Sequence, residues 1–205
     1  MVRDSEKTKQ IILKTAETEF AEKGLAGARV DEIARVSGFN KSLIYQYFGN
    51  KEKLYQIVLY NAYGELSKLE TSIFLENKDY IETIKAIVRG YFRFLTENPH
   101  FVKLLMWENL NEARYLTGNE AGKIKDPMIN ALKKILSEGK KTGVFSEKVD
   151  NDQVVLALIM GCYSYFSNIY TLPIVTRIDL SNEEVLEKRI EFVINSLLYY
   201  LSGKE

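Results

Sequence analysis

One cysteine, three prolines and one histidine occur in 205 residues, and each scarcity excludes something. Cys162 has no cysteine to pair with inside the chain, so the sequence reads as a cytoplasmic protein of a reducing compartment, not a disulfide scaffold. No His/Cys cluster has metal-ligand spacing, so no metal is expected. A Ser-His-Asp or Cys-His set would have to use His100, which follows Pro99 at a helix start and reads as a capping or exposed side chain. No glycine-rich phosphate loop is present either. No catalytic residue and no cofactor are therefore assigned. Net charge is missing too: 28 basic residues balance 28 acidic ones. No basic tail advertises nucleic acid, and no acidic tail suggests disorder. The opening "MVRDSEKTKQ" has no apolar stretch and does not read as a signal peptide. The longest apolar run, "VVLALIMGCYSYF" (154–166), is shorter than the ~20 residues a bilayer requires. Strand-like alternation is also lacking. An all-α fold is expected, and 46% hydrophobic residues suffice for a sizeable core.

What is present is helical periodicity. Residues 5–23 space Ile11, Ile12, Ala16 and Phe20 between charges, and Gly24 and Gly27 end the run. A short helix follows at 30–36, with Val30, Ile33 and Ala34 inward. Gly38 turns the chain into a second short helix at about 41–48, and a longer one starts at Lys51. The first three helices are too short to stand alone and must pack on one another. Further patterns cover roughly 79–97, 100–116, 127–141, 151–170 and 182–202, giving about nine helices. Breaks fall at "ENKD", Pro99, "TGNEAG", "KKTG" and "TLPIVTRIDLSN". Ser181 with Glu184 reads as a capping box opening the last helix.

The segment "GFNKSLIYQYFGNKEKL" (38–54) carries the densest chemistry. On a helical wheel Leu43, Ile44, Tyr47 and Phe48 fall on one side, able to pack on Phe20, Ile33 and Val36. Lys41, Ser42, Tyr45 and Gln46 fall on the other. Two short helices joined by a glycine turn make a helix-turn-helix pattern, whose second helix enters the major groove. Asn40 is a candidate N-cap that also faces the groove with Lys41, Ser42, Tyr45 and Gln46. Lys41 and Gln46 can read base edges, and Tyr45 offers a ring for a thymine methyl. Lys51 is placed for the phosphate backbone, and Tyr47 lies near enough to the edge to share in it. The bland alternative is an amphipathic helix with a solvated polar face. Residues 1–54 hold ten basic and eight acidic side chains, so this end is mildly positive.

"DEIARVSGFNKSLIYQYFGNKEKLYQIVL" closely resembles the N-terminal domain of the TetR family of transcriptional regulators. The likeness rests on Ile33-Ala34, Ser37-Gly38, Leu43-Ile44-Tyr45, Tyr47-Phe48, Lys51-Glu52 and Leu54, and spans about residues 8–58. It departs at Ala28-Arg29, where the family usually has one or two Thr/Ser residues. The usual cap hydroxyl is missing there, and Arg29 is the residue left to meet phosphate. Gln46 stands where relatives often have His or an aromatic. The resemblance implies a helix-turn-helix DNA-binding domain at 1–50 and a helical effector-binding and dimerisation domain at 51–205. It also implies a homodimer and a small effector that weakens DNA binding, as expected of a ligand-responsive repressor on a palindromic operator. The rival readings are an all-α enzyme and a helical dimerisation module that never meets DNA.

The remaining sequence fits this. Residues 154–170 are apolar nearly all round, and 182–202 has a wide apolar face. Together they suit a homodimer interface, with deep burial in one domain as the alternative. On a wheel over 100–116, Glu108, Asn109 and Glu112 lie within an apolar face made with Phe101, Leu105, Tyr115 and Leu116. Buried carboxylates need partners. Either these residues meet an effector, or the glutamates pair with Arg89 or Arg93. Tyr91, Phe94, Trp107, Tyr163 and Phe166 can line an apolar cavity for a hydrophobic or aromatic effector, or serve as ordinary core.

Overall fold

The computed structural model describes the backbone of residues 2–76, 79–116 and 119–204, and the side chains of residues 5–68, 79–116 and 129–204. Among these residues there are ten helices and no strand: α1 (Val2–Gly27), α2 (Val30–Ser37), α3 (Lys41–Phe48), α4 (Lys51–Glu76), α5 (Tyr80–Glu97), α6 (Pro99–Leu110), α7 (Asn119–Lys141), α8 (Asn151–Ser167), α9 (Leu172–Thr176) and α10 (Glu183–Leu201). The chain divides into two compact units. The first comprises Met1–Glu65 and His100–Gly122; the second comprises Leu66–Pro99 and Lys123–Glu205.

The first unit is built on Phe20, Ile33, Ile44, Leu54, Tyr55, Leu59 and Leu104, all fully buried. The inward sides of α2 and α3 are apolar and short, so their stability comes from this shared core. Val36 is the exception to the expected packing set: it is 57% exposed. Trp107 is also placed differently from the cavity-lining role expected of it. It packs on α1, where its indole Nε1 donates to the Ala21 carbonyl at 3.2 Å. The ring lies over Gly24, where a Cβ would sit 2.8 Å from it. Gly24 breaks the α-helical path of α1 with φ 63° and ψ 176°, a conformation only glycine adopts freely.

The helix expected to reach residue 116 stops at Leu110. Glu112 and Ala113 take left-handed φ values of 57° and 56°. The Ala113 N–H donates to the Glu108 carbonyl at 2.7 Å, and the Tyr115 N–H to Glu108 Oε2 at 3.1 Å. "NEARYL" has good helix propensity, but tertiary packing overrides it. The turn lets Tyr115 set its ring edge-on against Tyr55, 5.5 Å between centroids. Pro99 opens α6, where its fixed φ and missing N–H cost nothing.

In the second unit α5, α8 and α10 bury Ile84, Ile87, Val88, Phe92 and Leu95 with Val154, Leu158, Cys162 and Tyr165, and with Ile190, Val193, Ile194 and Leu197. Asp79 caps α5 and Asp150 caps α8. The capping box expected at Ser181 is not formed, and a simple N-cap one residue later takes its place. Asp179 Oδ1 accepts from both the N–H and the hydroxyl of Ser181, which leaves Asn182 to cap α10 through the Glu184 N–H. The short α9 falls inside the expected loop. No helix among the described residues is long and apolar enough to cross a membrane.

Candidate nucleic-acid interface and effector region

The turn between α2 and α3 is set by Gly38, whose φ of 78° closes α2 as its N–H bonds the Ala34 carbonyl at 3.0 Å. Asn40 then starts α3: its side chain accepts from the Leu43 N–H at 2.8 Å. The two faces separate as the wheel requires. Ile44 and Phe48 are buried, Leu43 and Tyr47 half-buried, and Lys41, Ser42, Tyr45 and Gln46 exposed. A single basic, hydroxyl, phenol and amide surface therefore projects from one short helix, with Arg29 exposed at the start of α2.

Several of these groups already have partners on the protein. Lys41 Nζ lies 3.0 Å from Asp31 on α2, and that hydrogen bond holds the ammonium pKa above its ordinary value. Its charge also sits 5.9 Å from the Tyr45 ring. Lys9 lies 5.6 Å from the Tyr47 ring. Lys51 is half-buried and donates to the Ala28 carbonyl at 2.8 Å, closing the end of α1. That bond uses one of its three donors, so the ammonium is anchored to the protein first.

The missing hydroxyl before α2 has a structural answer that sequence reading passed over. Arg29 stands at the N-cap with no side-chain cap bond. Its backbone N–H donates instead to Glu19 Oε1 at 3.0 Å, and Lys23 bonds the same carboxylate. In an ordinary capping box the glutamate three residues into the helix does this. Here that residue, Glu32, is engaged with Arg35. Glu19 and Asp31 carried no local signal for these roles, because their partners lie ten residues away in each case.

The effector candidates divide between the two units. Phe101, Leu105, Glu108, Asn109 and Glu112 belong to the first unit; Phe94, Tyr163 and Phe166 belong to the second. Asn109 is exposed, and Glu112 is exposed beyond the end of α6, so the wheel that placed both within an apolar face is corrected. Glu108 is buried, as that wheel required. Neither arginine partners it: Oε2 accepts from the Tyr115 N–H, while Oε1 and the Tyr55 hydroxyl are buried without a well-formed hydrogen bond. Burial foremost, and then the nearby Glu108 carboxylate, push the Tyr55 phenol well above its usual range and Tyr63 up to about 12. Arg89 pairs with Glu187 at 2.6 Å. In the second unit Phe92, Tyr165 and Phe166 form an aromatic trio, with Tyr165 and Phe166 centroids 5.3 Å apart. Beside it, Arg89, Arg93, Phe92, Thr96, Leu186 and Ile190 line a surface groove of about 250 Å³ between α5 and α10.

Residues 12–58 match the family described as bacterial regulatory proteins, tetR family, and residues 81–197 match the tetracyclin repressor-like C-terminal domain. The chain belongs to the TetR family. By that membership it is a DNA-binding transcriptional regulator. Among TetR relatives it is 26% identical to the HTH-type transcriptional repressor NicS of Pseudomonas putida over 192 residues, covering 93% of this chain and 91% of NicS. The fold is shared with FadR from Bacillus subtilis, solved with stearoyl-CoA, at 20% identity and TM-score 0.68 over 96% of this chain and 99% of that one. It is shared as well with AibR, solved with isovaleryl coenzyme A and operator DNA, at 18% identity and TM-score 0.68 over 97% and 100%.

Proposed function

We propose that this TetR-family protein is a cytoplasmic homodimer without catalytic activity that leaves a palindromic operator when a small apolar effector binds. The carrying observation is α3. Asn40 caps it, Ile44 and Phe48 fix it to the core, and Lys41, Ser42, Tyr45 and Gln46 stand exposed on the opposite side. Lys41 and Gln46 read base edges in the major groove, and Tyr45 contacts a thymine methyl or a phosphate. Ser42, Tyr47, Arg29 and Lys51 contact the backbone and set register. The function divides near residue 50: residues 1–50 bind DNA, and 51–205 bind the effector and the second copy. The copies meet through α8 and α10, whose outward Leu156, Met160, Phe192 and Tyr199 are exposed. Two recognition helices then face half-sites about one DNA turn apart.

The effector carries a hydrophobic or aromatic body and rests among Phe94, Tyr163 and Phe166. Phe166 belongs to the aromatic trio with Phe92 and Tyr165, and the acyl-CoA ligands of FadR and AibR carry apolar bodies of this kind. The signal leaves through α4, which starts at Lys51 beside α3 and ends in the second unit. An effector acts only through its preference for the conformation that does not fit DNA.

The test selects the operator from random duplexes with the purified protein and titrates it. Tyr45→Ala and Lys41→Ala should each weaken binding at least about tenfold, and Lys41→Ala should also relax the base preference at the position it reads. Unchanged affinity in both variants refutes the assigned reading face. Stearoyl-CoA and isovaleryl-CoA are the first effector probes, read as loss of operator binding.

A further inference from the structure

Among the described residues of the second unit, the connection from α8 to α10 is largely exposed. Its sequence, "YTLPIVTRID" (170–179), holds five large apolar residues, and α9 within it buries none of its side chains. Ile174 is 79% exposed, Val175 76% and Tyr170 79%; Leu172 and Ile178 are exposed as well. Single apolar residues on a surface are ordinary, but a contiguous group marks an interaction site. A five-residue helix also has no stability of its own.

The base of this connection is nonetheless fastened. The Tyr165 hydroxyl of α8 donates to the Leu180 carbonyl at 2.7 Å. Asp179 and Ser181 close a local turn, and the Arg177 N–H, in the left-handed region, ends α9 on the Pro173 carbonyl. A fixed base thus holds an apolar tip out toward solvent.

We propose that residues 170–178 are an arm that seats on a second copy of this chain and extends the α8–α10 interface. This rests on the homodimer reading above. The arm is continuous at both ends with the two helices assigned to that interface. Arg177 is its only charged side chain, so its chemistry suits an apolar protein surface and not a phosphate backbone.

The experiment measures the dimer dissociation constant of the full chain by sedimentation equilibrium. Ile174→Asp with Val175→Asp should raise it at least about tenfold while the helical spectrum is retained, since neither side chain is buried. An unchanged constant overturns the arm. Met160→Asp with Phe192→Asp tests the α8–α10 interface separately. If that pair has no effect while the arm variant does, the helix interface fails and the arm stands. In the unmutated protein, the amides of 170–178 should exchange hydrogen more slowly above the dimer constant than below it. Equal rates overturn the arm regardless of how the variants fold.

Discussion

Replacing Glu19 with alanine removes the acceptor that holds the start of α2. The carboxylate is 8% exposed and takes the Arg29 N–H at 3.0 Å, at the position where the family's cap hydroxyl is missing. A hydrogen bond to a charged group contributes about 1.5–3 kcal/mol, and the backbone donor is left without this partner when it goes. The Lys23 contact adds less, because that lysine side chain is 47% exposed and solvent screens it. A loss of about 2–3 kcal/mol is expected for Glu19→Ala. At about 2–4 °C per kcal/mol for a chain of this size, the thermal midpoint should fall by about 5–10 °C. Glu19→Gln keeps an oxygen at the same place and should lose only about 1 kcal/mol, and Lys23→Ala less than about 1 kcal/mol. Thermal melts followed by circular dichroism decide it. A Glu19→Ala protein that melts with the wild type refutes the reasoning. If Glu19→Gln falls as far as Glu19→Ala, the ion pair with Lys23 and not the acceptor holds the junction.

Three further outcomes follow from the geometry. Gly24→Ala places a Cβ 2.8 Å from the Trp107 ring in a backbone conformation reserved for glycine, and should cost about 2–5 kcal/mol in denaturant unfolding. Asp31→Asn frees Lys41 and removes a negative charge beside the exposed face of α3, so binding to any duplex should tighten, with the gain shrinking as salt is raised. Burial pushes the Cys162 thiol from 9.0 up to about 12, so the folded state keeps it protonated. The stability from this group is complete below pH 9 and is lost as pH rises from 9 toward 12, at about 1.4 kcal/mol per pH unit. Tyr63 adds a loss of the same sign at higher pH, so the Cys162 share is read as the slope that disappears in Cys162→Ala.

Helix positions and the two faces of α3 were legible because both depend on spacing within a few residues. Ile44 and Phe48 inward, Lys41 and Gln46 outward, and Asn40 as the cap are all local consequences of a period of 3.6. The same reasoning failed at 111–116. There the local propensity is helical, and the packing of Tyr115 against Tyr55 decides otherwise. It failed again for Val36, which sits near the end of α2 where the wheel cannot say how far the neighbouring helix reaches.

The sequence by itself determined an all-helical chain, the helix-turn-helix and the family, because these are written in periodicity, capping residues and a local motif. Tertiary structure alone decided how Glu19 replaces the missing cap, how Trp107 uses the gap at Gly24, and that Asp31 holds Lys41. It also decided that Glu108 faces phenols and that the 170–178 connection stands out from the second unit. The reason is range. A helix forms from neighbours on its own chain segment, whereas each of these pairings joins groups separated by ten or more residues, and the 170–178 exposure depends on how the rest of the unit packs.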